Sequence, residues 1–432
     1  MLVDFCHRRS RWSFLFLIVL AAGEFCFLAA KVRVAEEWNE SSNPKKWLAA
    51  ARLEPGNAQY WEQLGLYDEL NLEQRDQSRA ADYLRRAVRI DPSSAHSWLE
   101  LAALDEDRGD FSAAKRAYEM AQSDFPISPD VAWRYGSFLL RQGDLSRGFA
   151  ALRRAIDKEP SLEASALAES WAVDPSADSI AAAVLPEKTA YYVRAIRYFL
   201  LQEQTGAALT MWTRLLKLNQ PVAMTDSIDL IDDLLSENQV SEAHHVWNEA
   251  LQRSGWLVAP DADASLVSNG GFERDLLNGG FDWRELPFRG ASYDLDSSVF
   301  HSGHQSLRIM VDGAANINFQ HIFQYVYVAP HQRYRFRAYL RTEGISGGNG
   351  IEFDIFDQRH PEELQTLTPV LAGTNGWMPV RVDFESGADT QMLEILLRGA
   401  LGPAFDSRLR GSVWVDDVSL TPVRRGIMSA TR

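Results

Sequence analysis

Cysteine is nearly missing from this chain, and the two that occur, Cys6 and Cys26, both stand near the N-terminus. The body of the sequence has no thiol, which excludes disulfides and cysteine-based zinc sites from any folded domain. A surplus of positive charge is missing too: 44 Lys and Arg face 59 Asp and Glu, for a net charge of −15. That balance argues against nucleic acid as a partner, because phosphate contacts need clustered cations. There is no P-loop and no dinucleotide fingerprint. The stretch "GISGG" (Gly344 to Gly348) formally fits G-x-S-x-G, but it joins two strand-like runs instead of forming a strand-to-helix elbow, so it reads as a turn. His301 and His304 have no third ligand spaced to complete a zinc site. With no catalytic centre in sight, the chain is not expected to be an enzyme.

Only one long apolar run occurs, from Trp12 to Ala30, with Arg8, Arg9 and Arg11 before it. Its residues span roughly 28 Å as a helix, enough to cross a bilayer core. Residues 1–35 are therefore expected to form a membrane anchor, N-terminus inside, with the bulk of the chain extracytoplasmic. A signal cleaved after Ala21 is the alternative.

Proline-ended helices recur every 34 residues, at Pro92, Pro126 and Pro160. Gly109-Asp110 returns as Gly143-Asp144, and Ala87, Ala121 and Ala155 keep the same step. This helix-turn-helix period resembles the tetratricopeptide repeat. The resemblance implies an all-α solenoid, taken here as residues 40–256, with Trp98 as an inter-helix wedge and Gly148 loosening the third repeat. "KKWLAAARLEP" resembles a lone second helix. Such arrays bind protein segments along their first helices. By resemblance that groove carries Glu62, Leu66, His96, Leu99, Glu106, Trp133 and Arg141, a mostly acidic lining suited to a basic or amphipathic partner.

From about Ser265 the hydrophobic period falls from 3.6 to 2, as in "RYRFRAYLR" and "MLEILLRG", with glycine-rich turns between runs. This pattern predicts an antiparallel β-sandwich of the jelly-roll type over residues 264–424. "LVSNGGFE", "HSGHQSLRI", "RYRFRAYLR" and "VWVDDVSL" follow one another as in the family 4/9/22 carbohydrate-binding modules, which this region resembles. The resemblance implies a structural calcium ion held by Glu273 with Asp416 or Asp417, a choice that alternation leaves open. It also implies a polysaccharide ligand stacked on aromatic rings, with Phe323, Tyr325, Tyr327 and Trp377 as the candidates. The arginine stripe Arg333, Arg335, Arg337 and Arg341 reads as cross-strand ion pairs with Glu352 and Asp354 in preference to a grip for an acidic sugar or phosphate. The expected whole is multidomain: a transmembrane helix, a tetratricopeptide-like solenoid and a jelly-roll sandwich. Its expected work is that of a tethered adaptor in envelope or exopolysaccharide assembly, or of a structural scaffold.

Overall fold

The computed structural model describes residues 8–71, 75–256, 265–286, 290–313, 320–346, 350–400 and 408–423. The chain forms two compact units, Met1–Pro186 and Glu187–Arg432.

In the first unit short polar residues start one helix after another. Asn43, Asn57, Asp76, Ser94, Asp110, Ser128 and Asp144 each accept a hydrogen bond from an amide of the first turn that follows. The helices are α1 (Arg8–Asn39), α2 (Pro44–Leu53), α3 (Ala58–Leu70), α4 (Gln77–Ile90), α5 (Ala95–Asp107), α6 (Phe111–Asp124), α7 (Pro129–Arg141), α8 (Leu145–Lys158), α9 (Glu163–Val173) and α10 (Ala177–Ala183). Gly109 and Gly143 both take φ +79° between paired helices, which explains their return at the repeat period. The alanines that keep step, Ala87, Ala121 and Ala155, are wholly buried where the paired helices approach.

Three details correct the sequence reading. Gly148 does not leave a gap, because Leu140 fills it: a methyl group added there would lie 2.5 Å from Leu140 Cδ2. Trp98 is only partly buried, its Nε1 donating to Pro92 O at 2.8 Å, whereas the equivalent Trp61 is 3% exposed. The wedge is Trp61. Finally, α2 is not alone. The end of α1 packs on it, with Ala35 and Trp38 beside Ala50, Ala51 and Trp61. The upstream part of α1 is exposed, and Phe14–Asn39 is long and apolar enough to cross a membrane.

The second unit joins four helices to all the strands. The helices are α11 (Thr189–Leu201), α12 (Thr205–Lys217), α13 (Ile228–Ser236) and α14 (Val240–Ser254). The strands are β1 (Arg284–Glu285), β2 (Ala291–Asp296), β3 (Ser306–Asp312), β4 (Gln320–Tyr327), β5 (Arg333–Ser346), β6 (Ile351–Asp357), β7 (Gln365–Leu367), β8 (Gly373–Glu385), β9 (Met392–Gly399) and β10 (Arg410–Pro422). They make two five-stranded antiparallel sheets, ordered β1-β4-β9-β6-β7 and β2-β3-β10-β5-β8. Alternation sends Phe336, Leu340, Phe353, Ile355, Ile395 and Val415 into the shared core. Of "GISGG", Gly344 to Ser346 continue β5, while Gly347 and Gly348 lie outside the described residues. Helices up to Ser254, expected within the solenoid of 40–256, thus fall in both units.

Candidate functional site

Along the first helices of the repeats the groove charges pair at the repeat spacing. Ser97 Oγ donates to Glu62, and the His96 ring lies between Glu62 and Glu100 at 3.6 and 3.8 Å. Arg134 Nη1 donates to Glu100 at 2.8 Å, and Arg141 grips Glu106 with two bonds of 2.7 and 2.9 Å. Tyr118 OH also donates to Glu106, and burial pushes that phenol's pKa up. Leu66 is half-buried beside Trp47, Tyr67 and Leu70. Leu99 is a correction: at 2% exposed it belongs to the hydrophobic core shared with Leu84, Ala114 and Tyr118.

Glu106, Trp133 and Arg141 come together. With Asp107, Arg134 and Glu169 they line a cavity of about 520 Å³ in which Trp133 is half-buried. Nearby, Glu69 keeps one buried carboxylate oxygen without a hydrogen-bond partner. Burial first, then Glu100 and Asp107, raise its pKa above the usual value. Glu62, Glu69, Glu100, Glu106, Asp107 and Glu169 outnumber Arg134, Arg141 and Arg75, the last of which binds Asp107 at 3.0 Å, so the groove stays acidic after its internal pairing.

On the sandwich, Glu273 and Asp416 converge on one turn, residues 301–304. Glu273 Oε1 accepts from His304 N at 2.8 Å. Asp416, wholly buried, accepts from His301 N and Ser302 N at 2.8 and 3.0 Å through Oδ2, and from Asp417 N at 2.7 Å through Oδ1. Burial raises its pKa, and among the described residues no lysine or arginine pairs with it. A buried acid without a counter-charge, next to a second carboxylate, is a donor set that suits a hard cation. Asp417 binds the side chains of the same turn, accepting from Ser302 Oγ at 2.7 Å with His301 Nδ1 2.5 Å away.

The expected aromatic platform is a second correction. Phe323, Tyr325 and Tyr327 do share the outward face of β4, but the helical pair covers it. Tyr327 stacks on His244 of α14 with ring centroids 4.2 Å apart. Tyr325 lies under Arg284, whose guanidinium is bound by Asp232 of α13 at 2.5 Å. Phe323 is 8% exposed. Alternation shows which side a ring points to, but not what packs there from a distant part of the chain. Trp377 is half-buried on the other sheet, edge-on to His301 at 5.7 Å.

The sequence reading passed over the polar row beside these rings. Register places Glu394 between Tyr325 and Phe356. Burial first, then Asp354, push Glu394 up from 4.5 to about 7, against the pull of Arg284. Glu394, Leu396 and Arg398 alternate in "MLEILLRG", and that signal could have found them. Because the folded state holds this proton more tightly than the unfolded chain, stability should fall as pH rises from about 4.5 to about 7. Glu394→Gln is expected to flatten that slope, read from denaturation midpoints across the window; an unchanged slope would assign it to another group.

Residues 99–163 match the tetratricopeptide repeat family model. No curated protein matches the chain. Among solved structures, YrrB, described as a tetratricopeptide protein with an unusual peptide-binding site, is 16% identical with TM-score 0.29, covering 41% of this chain and 93% of its own. A carbohydrate-binding module of family 4 is 14% identical with TM-score 0.27, covering 36% and 99%. The xylan-binding module of family 22 from Paenibacillus barcinonensis Xyn10C gives 14% and 0.27, covering 39% and 100%. Scores this low over the whole chain carry no functional argument. Residues 99–163 carry tetratricopeptide repeats, and the strands of the second unit form two antiparallel sheets around one core.

Proposed function

We propose that this chain is a membrane-tethered, extracytoplasmic adaptor in envelope or exopolysaccharide assembly. Its groove holds a basic or amphipathic segment of a protein partner, its sandwich contacts glycan, and Glu273 with Asp416 holds a structural calcium ion. The ion would supply charge compensation to the buried acid. The observation that carries the adaptor reading is the cavity shared by Glu106, Trp133 and Arg141 in an acidic groove. A half-buried indole beside Glu169, which only the Ser137 hydroxyl binds among the described residues, fits a side chain that is apolar along its stem and cationic at its tip. Covering of Phe323, Tyr325 and Tyr327 moves glycan contact away from β4.

Selection of displayed peptides on the full-length protein in detergent micelles tests this. Lys- or Arg-containing sequences with an apolar neighbour are expected, and Trp133→Ala should weaken them by about tenfold or more, as for an interface anchor. Selected peptides indifferent to Trp133→Ala, or an enrichment of acidic ones, would overturn the reading.

A further inference from the structure

The arginine stripe does not find the partners expected of it. Glu352 and Asp354 lie on β6 of the opposite sheet, where both bind Arg398. The stripe on β5 faces β8 and β10 instead. Arg335 donates to Asp383 at 3.0 and 2.8 Å, and Arg381 donates to the same two oxygens at the same distances. One carboxylate thus serves two guanidiniums. Arg333 lies 3.7 Å from Glu385. Arg337 is exposed, stands directly opposite Arg381 in the register, and has no acidic partner among the described residues. Arg341 sits over the Trp414 ring at 5.7 Å, also without an acid. The acids of the neighbouring corner, Asp416 and Asp417, are taken up by the turn at residues 301–304, which leaves Arg337 and Arg341 as the unpaired charges of this face among the described residues. Like charges placed opposite each other across strands cost stability, so this arrangement is unfavourable until an anion arrives.

Aromatic rings interleave with the charges. Tyr339 lies on β5 between Arg337 and Arg341, which are roughly 13 Å apart along the strand. Its ring stacks on His301, centroids 3.6 Å apart, so that face of Tyr339 is occupied, and His301 is fixed in turn by Asp417. Trp377 closes the same corner. Fixed rings flanked by planar forks that bind carboxylates two bonds at a time match a sugar polymer bearing carboxylates.

We propose that the outward face of β5 and β8 binds an acidic, uronate-type polysaccharide, with Arg337 and Arg341 gripping its carboxylates on either side of the fixed corner made by Tyr339, His301 and Trp377. This rests on the glycan-contact reading above and gives it a place and a ligand class. An anionic membrane is the less suitable occupant, since the aromatic rings of this corner are tied down and half-buried, with little to insert among acyl chains.

The test uses the full-length protein in detergent micelles, with polygalacturonate, a neutral β-glucan and vesicles containing phosphatidylglycerol as probes. Wild type is expected to bind polygalacturonate, and binding should collapse toward 1 M salt, where the screening length shrinks to about 3 Å. Arg337→Ser with Arg341→Ser should weaken it by about tenfold or more, while the doubly lysine-substituted protein, which keeps charge and loses the forks, should fall between. An unchanged melting temperature in both variants confirms that the fold is intact. Equal binding by wild type and the serine variant overturns the site. Salt-insensitive binding of the neutral glucan alone overturns the ligand class and leaves glycan contact standing. Vesicle binding that the serine variant loses, without binding of wild type to either glycan, makes the face a lipid surface, since binding through α1 is common to both proteins. No glycan binding and no such difference on vesicles removes the glycan reading as well.

Discussion

Replacing Arg398 with methionine is expected to cost the second unit about 3–5 kcal/mol of stability, as when one partner is removed from a buried ion pair. The side chain is 11% exposed and joins two acids that are more deeply buried, Asp354 at 2.8 Å and Glu352 at 3.1 Å. Asp354 already keeps one oxygen without a partner, and burial already lifts its pKa. Without the guanidinium both carboxylates would stay buried and uncompensated. Asp354, already raised by burial and relieved by Arg398, would then hold its proton more tightly when folded than when unfolded, so the deficit should shrink on acidification toward pH 4 and grow above neutrality. Denaturation of the full-length protein, with amide exchange followed in β6 and β9, reads this directly. A midpoint that does not move would mean that water reaches the triad and the pairing adds nothing.

Asp416→Ala should have an effect of the same order, for a different reason. Three backbone amides, of His301, Ser302 and Asp417, lose their acceptor together. At about 1–3 kcal/mol for each unsatisfied group, less what water recovers in a surface turn, the loss is about 3–5 kcal/mol. Asp416→Asn keeps one oxygen and should fall between. The same pair of variants examines calcium. Wild type is expected to melt higher with calcium than with a chelator, by linkage, and Asp416→Ala to lose that difference. Destabilisation without any calcium dependence in wild type would leave Asp416 as an anchor of the turn alone.

The two effects differ in how visible they were beforehand. The repeat period, the Gly109 and Gly143 turns and the alternation of "RYRFRAYLR" are local, set by backbone geometry within a few residues, and they can be read directly from the sequence. Glu273 could be set beside Asp416 or Asp417 only through resemblance to a family, and alternation left the choice between the two aspartates open. Nothing local told that Tyr327 meets His244, or that Glu352 and Asp354 belong to Arg398 rather than to the stripe. Those contacts depend on which strands become neighbours and on what docks on a finished sheet.

The helix α1 is a lever. It enters the first repeat's core without a break, since Ala35 is wholly buried against α2 while the apolar stretch upstream is bare. A bilayer that grips residues up to Ala30 would therefore hold the array by a stem of nine residues, about 14 Å long. If α1 is inserted as proposed, the tilt of the stem in the lipid would become the heading of the groove, since α1 runs unbroken from Arg8 to Asn39. Partner segments would be met at a set height and angle above the membrane, and a glycine pair inserted after Ala30 should uncouple the two without disturbing either.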